Sequence, residues 1–137
     1  MPVFSSSDQL YSALKLLFSR IDEADATAAR TVTNSRLILR MRTSSPVTEV
    51  CLNGRQNPLQ FIFGASTLRP DIELELPADL LHGILVSEVT LRRAYASGKI
   101  KLRGPIWKAF VFDNIFHAGQ MVYPQVLREQ QINGYRG

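Results

Sequence analysis

The side chains best suited to acid–base chemistry lie four residues apart in one apolar segment. Asp113 and His117 belong to GPIWKAFVFDNIFHAG, residues 104–119, which has helical character. Positions i and i+4 of a helix share a face, so this carboxylate and imidazole could act as an acid–base pair. A small-molecule enzyme built on Asp113 and His117 is therefore one candidate function, and the most distant of three.

Other reactive side chains lack partners at the spacing that catalysis or metal binding needs. His82, Asp79 and Ser87 could be read as a triad, but any helix surface offers such coincidences. The two histidines have no neighbouring ligand at metal spacing. Cys51 is typical of a passive strand residue. Phosphate loops and dinucleotide fingerprints are absent as well. We therefore expect no enzyme activity, no metal and no cofactor.

The same segment is apolar on almost every side. Trp107, Phe110, Phe112 and Phe116 fall within what the pattern predicts to be one helix, opened by Pro105 and closed by Gly119. A surface helix of a soluble protein needs only one apolar stripe. This segment must therefore bury two sides, either in a crowded core, at a dimer face or against a cavity.

Composition and charge narrow the class of protein. The chain has 137 residues with a net charge of +4, which suits one globular domain. A single cysteine excludes an internal disulfide framework, and MPVFSSSDQ has no features of a secretory signal, so a cytoplasmic location is expected. Six bases occur without an intervening acid: Arg92, Arg93, Lys99, Lys101, Arg103 and Lys108.

These bases allow three interpretations. They could simply aid solubility, pair with Glu73 and Glu75 of a neighbouring strand, or attract anionic lipid headgroups. Nucleic-acid binding would require exposed aromatic side chains among the bases, whereas the aromatic residues follow the buried pattern. The sequence therefore predicts no nucleic-acid partner.

The elements that position these residues begin with a helix. Ser6 and Gln9 have capping-box spacing, and Leu10, Leu14, Leu17, Phe18 and Ile21 recur at helical intervals. The alanine-rich stretch after it either continues this helix or forms a second one. Alternation of apolar and polar residues then predicts strands at 35–42, 47–53, 58–64, 70–77 and 99–103. Such alternation indicates a sheet with one buried and one wet face.

Turn and cap residues delimit the later helices. Pro77 begins one helix, and Thr90 caps a second that ends at Ser97-Gly98. Residues 124–132 predict a short helix packed on the surface.

Residues 70–110, PDIELELPADLLHGILVSEVTLRRAYASGKIKLRGPIWKAF, resemble the sterol carrier protein 2 family. The likeness rests on an acid-bearing strand, a helix with paired leucines, a short helix, the SGKIKLRG strand and a closing apolar helix. It covers about residues 7–119. It implies an α+β fold with a five-stranded, mostly antiparallel sheet and helices on one face. The Glu73 strand would lie between the Arg40 and Lys99 strands. Residues 1–137 would form one domain, with 120–137 as a C-terminal helical extension.

The resemblance also implies a function. The domain would bind, and could also transfer, a sterol, fatty acyl chain or isoprenoid in an apolar tunnel between sheet and helices. Residues expected to bind the ligand are Leu14, Phe18, Phe61, Ile84, Leu85, Tyr95, Trp107, Phe110 and Val111. On a helical wheel Trp107 and Phe110 point away from Phe112 and Phe116, which are expected to pack against protein.

A second candidate function is that of an accessory subunit presenting a hydrophobic intermediate, such as a quinone precursor, to partner enzymes. The expected partners are thus a hydrophobic small molecule, an anionic membrane in transient contact, and a protein partner or second copy of the chain.

Overall fold

The computed structural model describes residues 3–130. Two helices precede four strands, and two short helices, a fifth strand and two further helices follow. Their bounds are α1 Ser7–Ala24, α2 Ala26–Ser35, β1 Ile38–Ser44, β2 Thr48–Asn53, β3 Gln60–Phe63, β4 Ile72–Pro77, α3 Ala78–Leu85, α4 Leu91–Ala96, β5 Lys101–Arg103, α5 Ile106–Phe110 and α6 Asp113–Gln130.

Polar caps begin the first two helices. The Ser6 hydroxyl accepts the backbone N–H of Gln9 at 3.1 Å, as its spacing predicts. The Gln9 side chain accepts the N–H of Ser5 at 2.7 Å, one residue earlier than in a standard capping box. Asp25 leaves the helical conformation and its carboxylate accepts the N–H of Thr27 at 3.0 Å. The alanine-rich stretch therefore starts a second helix.

The five strands form one sheet in the order β3-β2-β1-β4-β5. Only β1 and β4 run parallel, and the other three pairs are antiparallel. Glu73 lies opposite Arg40 of β1 and Arg103 of β5. The α+β class, the mostly antiparallel sheet and the predicted place of the Glu73 strand are confirmed.

Alternation along the strands decides which face the helices cover. Alternate apolar residues of the strands point to the same face of the sheet and join the helices in a single core. They include Leu39, Met41, Val50, Leu52, Ile72, Leu74 and Leu76. Helix α6 packs against α1, α2 and α3. The helices thus form a layer on one face of the sheet.

The opposite face of the sheet is less exposed to solvent than the alternation predicts. Arg40 is only 12% exposed, although it points away from the core. Its guanidinium donates to Glu73 at 3.0 Å and to the Leu68 carbonyl at 2.8 Å. Cys51 on the same face is buried. The segment 64–71 therefore crosses the centre of this face and leaves only its edges open.

The aromatic segment is not one helix, contrary to prediction. Helix α5 ends at Phe110, and the N–H of Phe112 bonds to the Ala109 carbonyl at 3.1 Å before α6 begins. This turn places Phe112 fully inside the core. The helix breaks because burying that ring requires a change of direction that a straight helix does not supply.

Gly119 does not end the segment as predicted, because it lies in the middle of α6. A Cβ there would sit 3.2 Å from Leu85 Cδ2, so glycine allows α6 to approach α3 closely. Residues 120–130 continue α6 rather than forming a separate helix, and Tyr123, Val126 and Leu127 are core residues, not surface ones. Residues 131–137 of the predicted extension lie outside the described residues.

Candidate functional site

A small apolar cavity lies between the sheet and helices α1, α3 and α6. Its volume is about 20 Å³, room for about one water molecule. Every lining side chain is hydrophobic: Leu14, Leu17, Phe18, Ile21, Leu39, Met41, Leu52, Leu81, Leu85, Phe112, Ile115 and Phe116. This space is far smaller than the elongated tunnel that the resemblance implies, because these side chains meet across the layer.

Three of the nine predicted ligand-binding residues line this cavity, namely Leu14, Phe18 and Leu85. Phe61 stands just behind its wall, where its ring stacks on Phe18 with the ring centres 4.5 Å apart. Ile84 is fully buried and faces a neighbouring surface cleft. The predicted residues of α1 and α3 thus lie at or beside the apolar cavity, and their contact with a ligand stays a prediction.

The other four predicted residues, Tyr95, Trp107, Phe110 and Val111, do not line the cavity. Trp107 is 62% exposed, and Phe110 and Val111 are half-buried. The helical-wheel argument assumed a continuous helix, and the break before α6 invalidates it. A ligand contact by these four residues stays a prediction.

Phe112 and Phe116, expected to pack chiefly against protein, line the cavity. The remaining wall residues that the prediction omitted carry usable signals. Leu17 and Ile21 belong to the apolar stripe of α1, and Leu39 and Met41 to the strand alternation. For Phe112 and Phe116 no local signal was available, since their direction depends on the turn between α5 and α6.

A cleft of about 150 Å³ opens at the surface between α4 and α6. The Arg92 guanidinium donates to Asp113 Oδ2 from two nitrogens, each at 3.3 Å. His117 Nδ1 lies 3.3 Å from the Gln120 side-chain oxygen. The predicted acid–base pair thus faces one cleft, but each member has a different partner.

Gln120 links α6 to the end of α3 at the base of this cleft. Its side-chain amide donates to the Ile84 carbonyl at 2.9 Å, at the end of α3. Ile84 and Phe116 supply apolar walls, and Thr90, Leu91, Arg92, Asp113 and His117 complete the lining. The cleft therefore combines a polar rim with an apolar base.

A second, larger groove of about 590 Å³ lies at the β1–β2 turn. It is open, and its lining includes Tyr11, Arg42, Val47, Glu49 and Lys101. The Tyr11 hydroxyl accepts the Glu49 N–H at 2.9 Å. None of its lining residues also lines the apolar cavity.

Exposed aromatic and basic side chains share the surface of α4 and α5. Tyr95, Ile106 and Trp107 are exposed, as are Arg93 and Lys99. The two helices meet where the Arg92 guanidinium lies 4.0 Å from the centre of the Phe110 ring. The expectation that aromatic residues near the bases are buried is therefore wrong for Tyr95 and Trp107.

The bases of β5 are not neutralised by the acids of β4. Lys101 and Arg103 lie opposite Glu75 and Glu73 in register. Within residues 3–130, however, the ion pairs of these acids are made with Arg42 and Arg40. The positive charge of β5 thus remains available to an anionic partner.

The possible triad is not assembled. His82 Nδ1 lies 2.7 Å from the Tyr123 hydroxyl, and Asp79 accepts the N–H of Val3 at 3.0 Å. Burial lowers the pKa of His82, against the opposing charges of Glu88 and Asp79. Burial raises the pKa of the Cys51 thiol, which opposes nucleophile formation.

The described part of the chain has neither a cluster of metal-ligating side chains nor a helix suited to span a membrane. Residues 3–130 contain no group of three or more histidine, cysteine or acidic side chains that could hold a metal ion. No helix in that range is long and apolar enough to cross a membrane.

Comparison with solved structures identifies the fold. The sterol carrier protein domain 2 of Helicoverpa armigera matches with a TM-score of 0.64 at 14% identity, over 82% of this chain and 89% of that one. Palmitated SCP2L2 from Aedes aegypti matches with a TM-score of 0.57 at 20% identity, over 82% and 95%. The ubiquinone synthesis protein UbiJ-SCP2 matches with a TM-score of 0.58 at 18% identity, over 78% and 89%.

No family model matches the chain, and no curated protein matches it. The structural likeness is therefore one of fold, and it agrees with the resemblance drawn from residues 70–110. The chain has the sterol carrier protein 2-like fold.

Proposed function

We propose that this protein binds the apolar tail of a lipid or similar hydrophobic molecule between its sheet and its helical layer. One observation carries the proposal: all twelve side chains around the cavity are hydrophobic, and they come from both layers of an SCP2-like fold. Each methylene moved from water into such surroundings contributes about 0.8 kcal/mol. An acyl or isoprenoid chain would thus be held without any polar motif.

Binding requires the wall to open. The cavity of about 20 Å³ is far below the roughly 300 Å³ at which sites for small organic ligands begin. Helices α1, α3 and α6 must therefore move outward, or their side chains must change rotamer, when the tail enters. The palmitated state of the Aedes aegypti neighbour supports a fatty acyl chain as the first ligand to test.

A second candidate is favoured by the UbiJ-SCP2 neighbour, which is a ubiquinone synthesis protein. In that role the protein would present an isoprenoid intermediate to partner enzymes instead of carrying lipid between membranes. In either role we propose a non-catalytic, cytoplasmic protein. The ion pair between Arg92 and Asp113 supports a non-catalytic role, because it engages the carboxylate that acid–base chemistry with His117 would need.

We also propose transient contact with anionic membranes through α4 and α5. The exposed Trp107 and Ile106 suit the membrane interface, and Arg93 and Lys99 suit its negative charge.

Native mass spectrometry of gently purified protein tests the ligand class directly. A co-purifying fatty acid supports the first candidate, and a prenylated aromatic compound supports the second. If no hydrophobic ligand co-purifies and a fluorescent fatty acid also fails to bind at micromolar protein, the proposal is wrong.

A cavity-filling variant links binding to this layer. Leu85→Phe adds bulk at the cavity wall, whereas Leu127→Phe adds the same bulk at a fully buried position outside it. Both should lose about 1–3 kcal/mol of stability through overpacking. Only Leu85→Phe should weaken binding of the fluorescent fatty acid. Equal affinities of the two variants would place the ligand elsewhere.

A further inference from the structure

We propose that a long-chain fatty acid enters through the cleft between α4 and α6, with Phe116 as the gate and Arg92 receiving the carboxylate. The inference rests on the proposed binding function and adds where the ligand passes and which end stays at the surface.

Phe116 is the side chain that connects the cleft with the cavity. It lines both, and it is the only residue common to the two linings. Phe116 is half-buried, whereas Phe112, four residues earlier on the same wall of the cavity, is fully buried. The Phe116 ring therefore stands at the boundary between the cleft and the cavity. Rotation about its side-chain torsions would join the two spaces.

The larger groove at the β1–β2 turn offers no comparable route. It shares no lining residue with the cavity, so no single side chain borders both spaces. Its surroundings, including Arg42, Glu49 and Glu75, are charged. Passage of an apolar tail by that route would require desolvating those charges.

The chemistry of the cleft selects the polar end of the ligand. Arg92 has five N–H donors, of which the contact with Asp113 Oδ2 engages two nitrogens at a long 3.3 Å. A ligand carboxylate at the rim would bind the remaining donors bidentately, a geometry that guanidinium favours. The apolar Ile84 and Phe116 at the base would then receive the first methylenes of the tail.

Two phenylalanine variants test the gate. Phe116→Ala removes the barrier, so the association rate of a fluorescent fatty acid in stopped-flow mixing should rise by about tenfold, within the range seen among variants of one site. Phe112→Ala is the matched control, because it enlarges the same cavity without touching the cleft. It should leave the association rate within about twofold of the parent. Equal acceleration by both variants, or none by Phe116→Ala, overturns the gate.

Site-directed blocking tests the route without relying on a core substitution. His117→Cys places a thiol in the cleft and Val47→Cys, 71% exposed in the native chain, places one in the alternative groove. Cys51 is buried and should not react in the folded protein. Each variant is compared before and after attachment of a bulky maleimide. Slower association only for labelled His117→Cys supports the route. Slower association only at Val47, or no change at either site, overturns it.

Arg92 is tested by ligand chemistry. Arg92→Gln should weaken binding of palmitate several-fold, while binding of its uncharged methyl ester should change little. Equal losses for both ligands would remove Arg92 from the headgroup site. These outcomes differ from failure of the function itself, in which the unmodified parent protein would bind neither ligand.

Discussion

Arg40 joins three parts of the outer face of the sheet. Its guanidinium contacts Glu73, lies 3.6 Å from Glu49 and donates to the carbonyls of Ser66 and Leu68. Arg42, two residues later on the same strand, also contacts Glu49 and a second acid, Glu75, but is 43% exposed. The two arginines therefore have similar charge partners and different burial.

This contrast predicts unequal losses of stability. Arg40→Ala leaves the shielded Glu73 carboxylate and two carbonyls without their donor, so the free energy of unfolding should fall by about 3 kcal/mol. Arg42→Ala removes a solvent-screened pair and should cost less than about 1 kcal/mol. Urea unfolding of both variants measures the difference. Similar losses would mean that the segment 64–71 does not shield Arg40 in solution.

His82 is the titratable group whose environment couples stability to mild acid. It is packed against Tyr123 and edge-on to Phe4, and burial lowers its pKa from the ordinary value of 6.5. The unfolded chain therefore binds more protons than the native protein below about pH 6.5. Stability is complete above that pH and declines as the pH falls through it.

Unfolding experiments at pH 7.5 and 5.5 test this coupling. The parent protein should be less stable at the lower pH, and His82→Gln should reduce that difference. His117→Gln is the matched control, since His117 is exposed and is the only other histidine. If His117→Gln loses the pH dependence while His82→Gln retains it, His117 causes the effect and the prediction for His82 is wrong.

At the scale of elements, α6 connects the other helices of the layer to one another and to the cavity. It packs against α1, α2 and α3, supplies Phe116 to the cavity and holds the end of α3 through Gln120. Gly119 lets α6 lie close to three cavity-lining side chains, Leu85, Ile21 and Leu17. The spacing of this helix from its neighbours thus helps to set the volume available to a ligand.

Gly119→Ala should separate ligand binding from stability. The added methyl lies 3.2 Å from Leu85 Cδ2 and should press that side chain into the cavity, so affinity for a fluorescent fatty acid should fall several-fold. The gain in helix propensity, about 1 kcal/mol, should offset the crowding and keep unfolding within about 1 kcal/mol of the parent.

Gly83→Ala in α3 provides the control for that experiment. Its new Cβ would meet its nearest neighbours, on Glu88 and Val89, at 3.7–3.8 Å, which is ordinary contact. It should gain stability without changing affinity. If Gly119→Ala binds the fatty acid as well as Gly83→Ala does, α6 does not limit the cavity.

At the scale of the whole molecule, the cleft lies next to the surface of α4 and α5 that carries the exposed aromatic and basic side chains. Arg92 belongs to the rim of the cleft and also lies over Phe110 of α5. That contact joins α4, which carries the exposed Arg93, to α5, which carries the exposed Ile106 and Trp107. A membrane-bound orientation through α4 and α5 would therefore bring the proposed entrance close to the lipid source.

Transfer of a fluorescent lipid from anionic vesicles should slow as salt rises, because the Debye length falls from about 10 Å at 0.1 M to about 3 Å at 1 M. Trp107→Ala should transfer lipid more slowly than the parent protein at the same salt concentration. Its melting temperature should stay nearly unchanged, since the side chain is mostly exposed. Transfer from neutral vesicles is the control and should depend little on salt.

Two results would contradict the membrane surface. One is salt-independent transfer from anionic vesicles. The other is tighter binding to a single-stranded oligonucleotide than to the vesicles, because exposed aromatics among bases also suit nucleic acid. A loss of fatty-acid affinity by Trp107→Ala in the absence of vesicles would instead support the sequence prediction that Trp107 contacts ligand.

The sequence by itself determined the elements whose signals are local. Period-two alternation located all five strands, and Ser6 and Thr90 cap the helices that their spacing predicted. The last glycine of SGKIKLRG, Gly104, has a φ of +111°, in the left-handed region that favours glycine. These features depend on neighbouring residues, and the resemblance supplied the place of the Glu73 strand between the Arg40 and Lys99 strands.

Only the tertiary structure decided which aromatic side chains face the cavity. The break between α5 and α6 arises because Phe112 is drawn into a core built by distant α1, α3 and β1 residues, and it redirects Trp107 to solvent. Likewise, Gly119 reads locally as a helix end but is needed for contact with Leu85, 34 positions away in sequence. Side-chain direction after a break is set by packing between remote segments, and such packing leaves no periodic signal in the sequence.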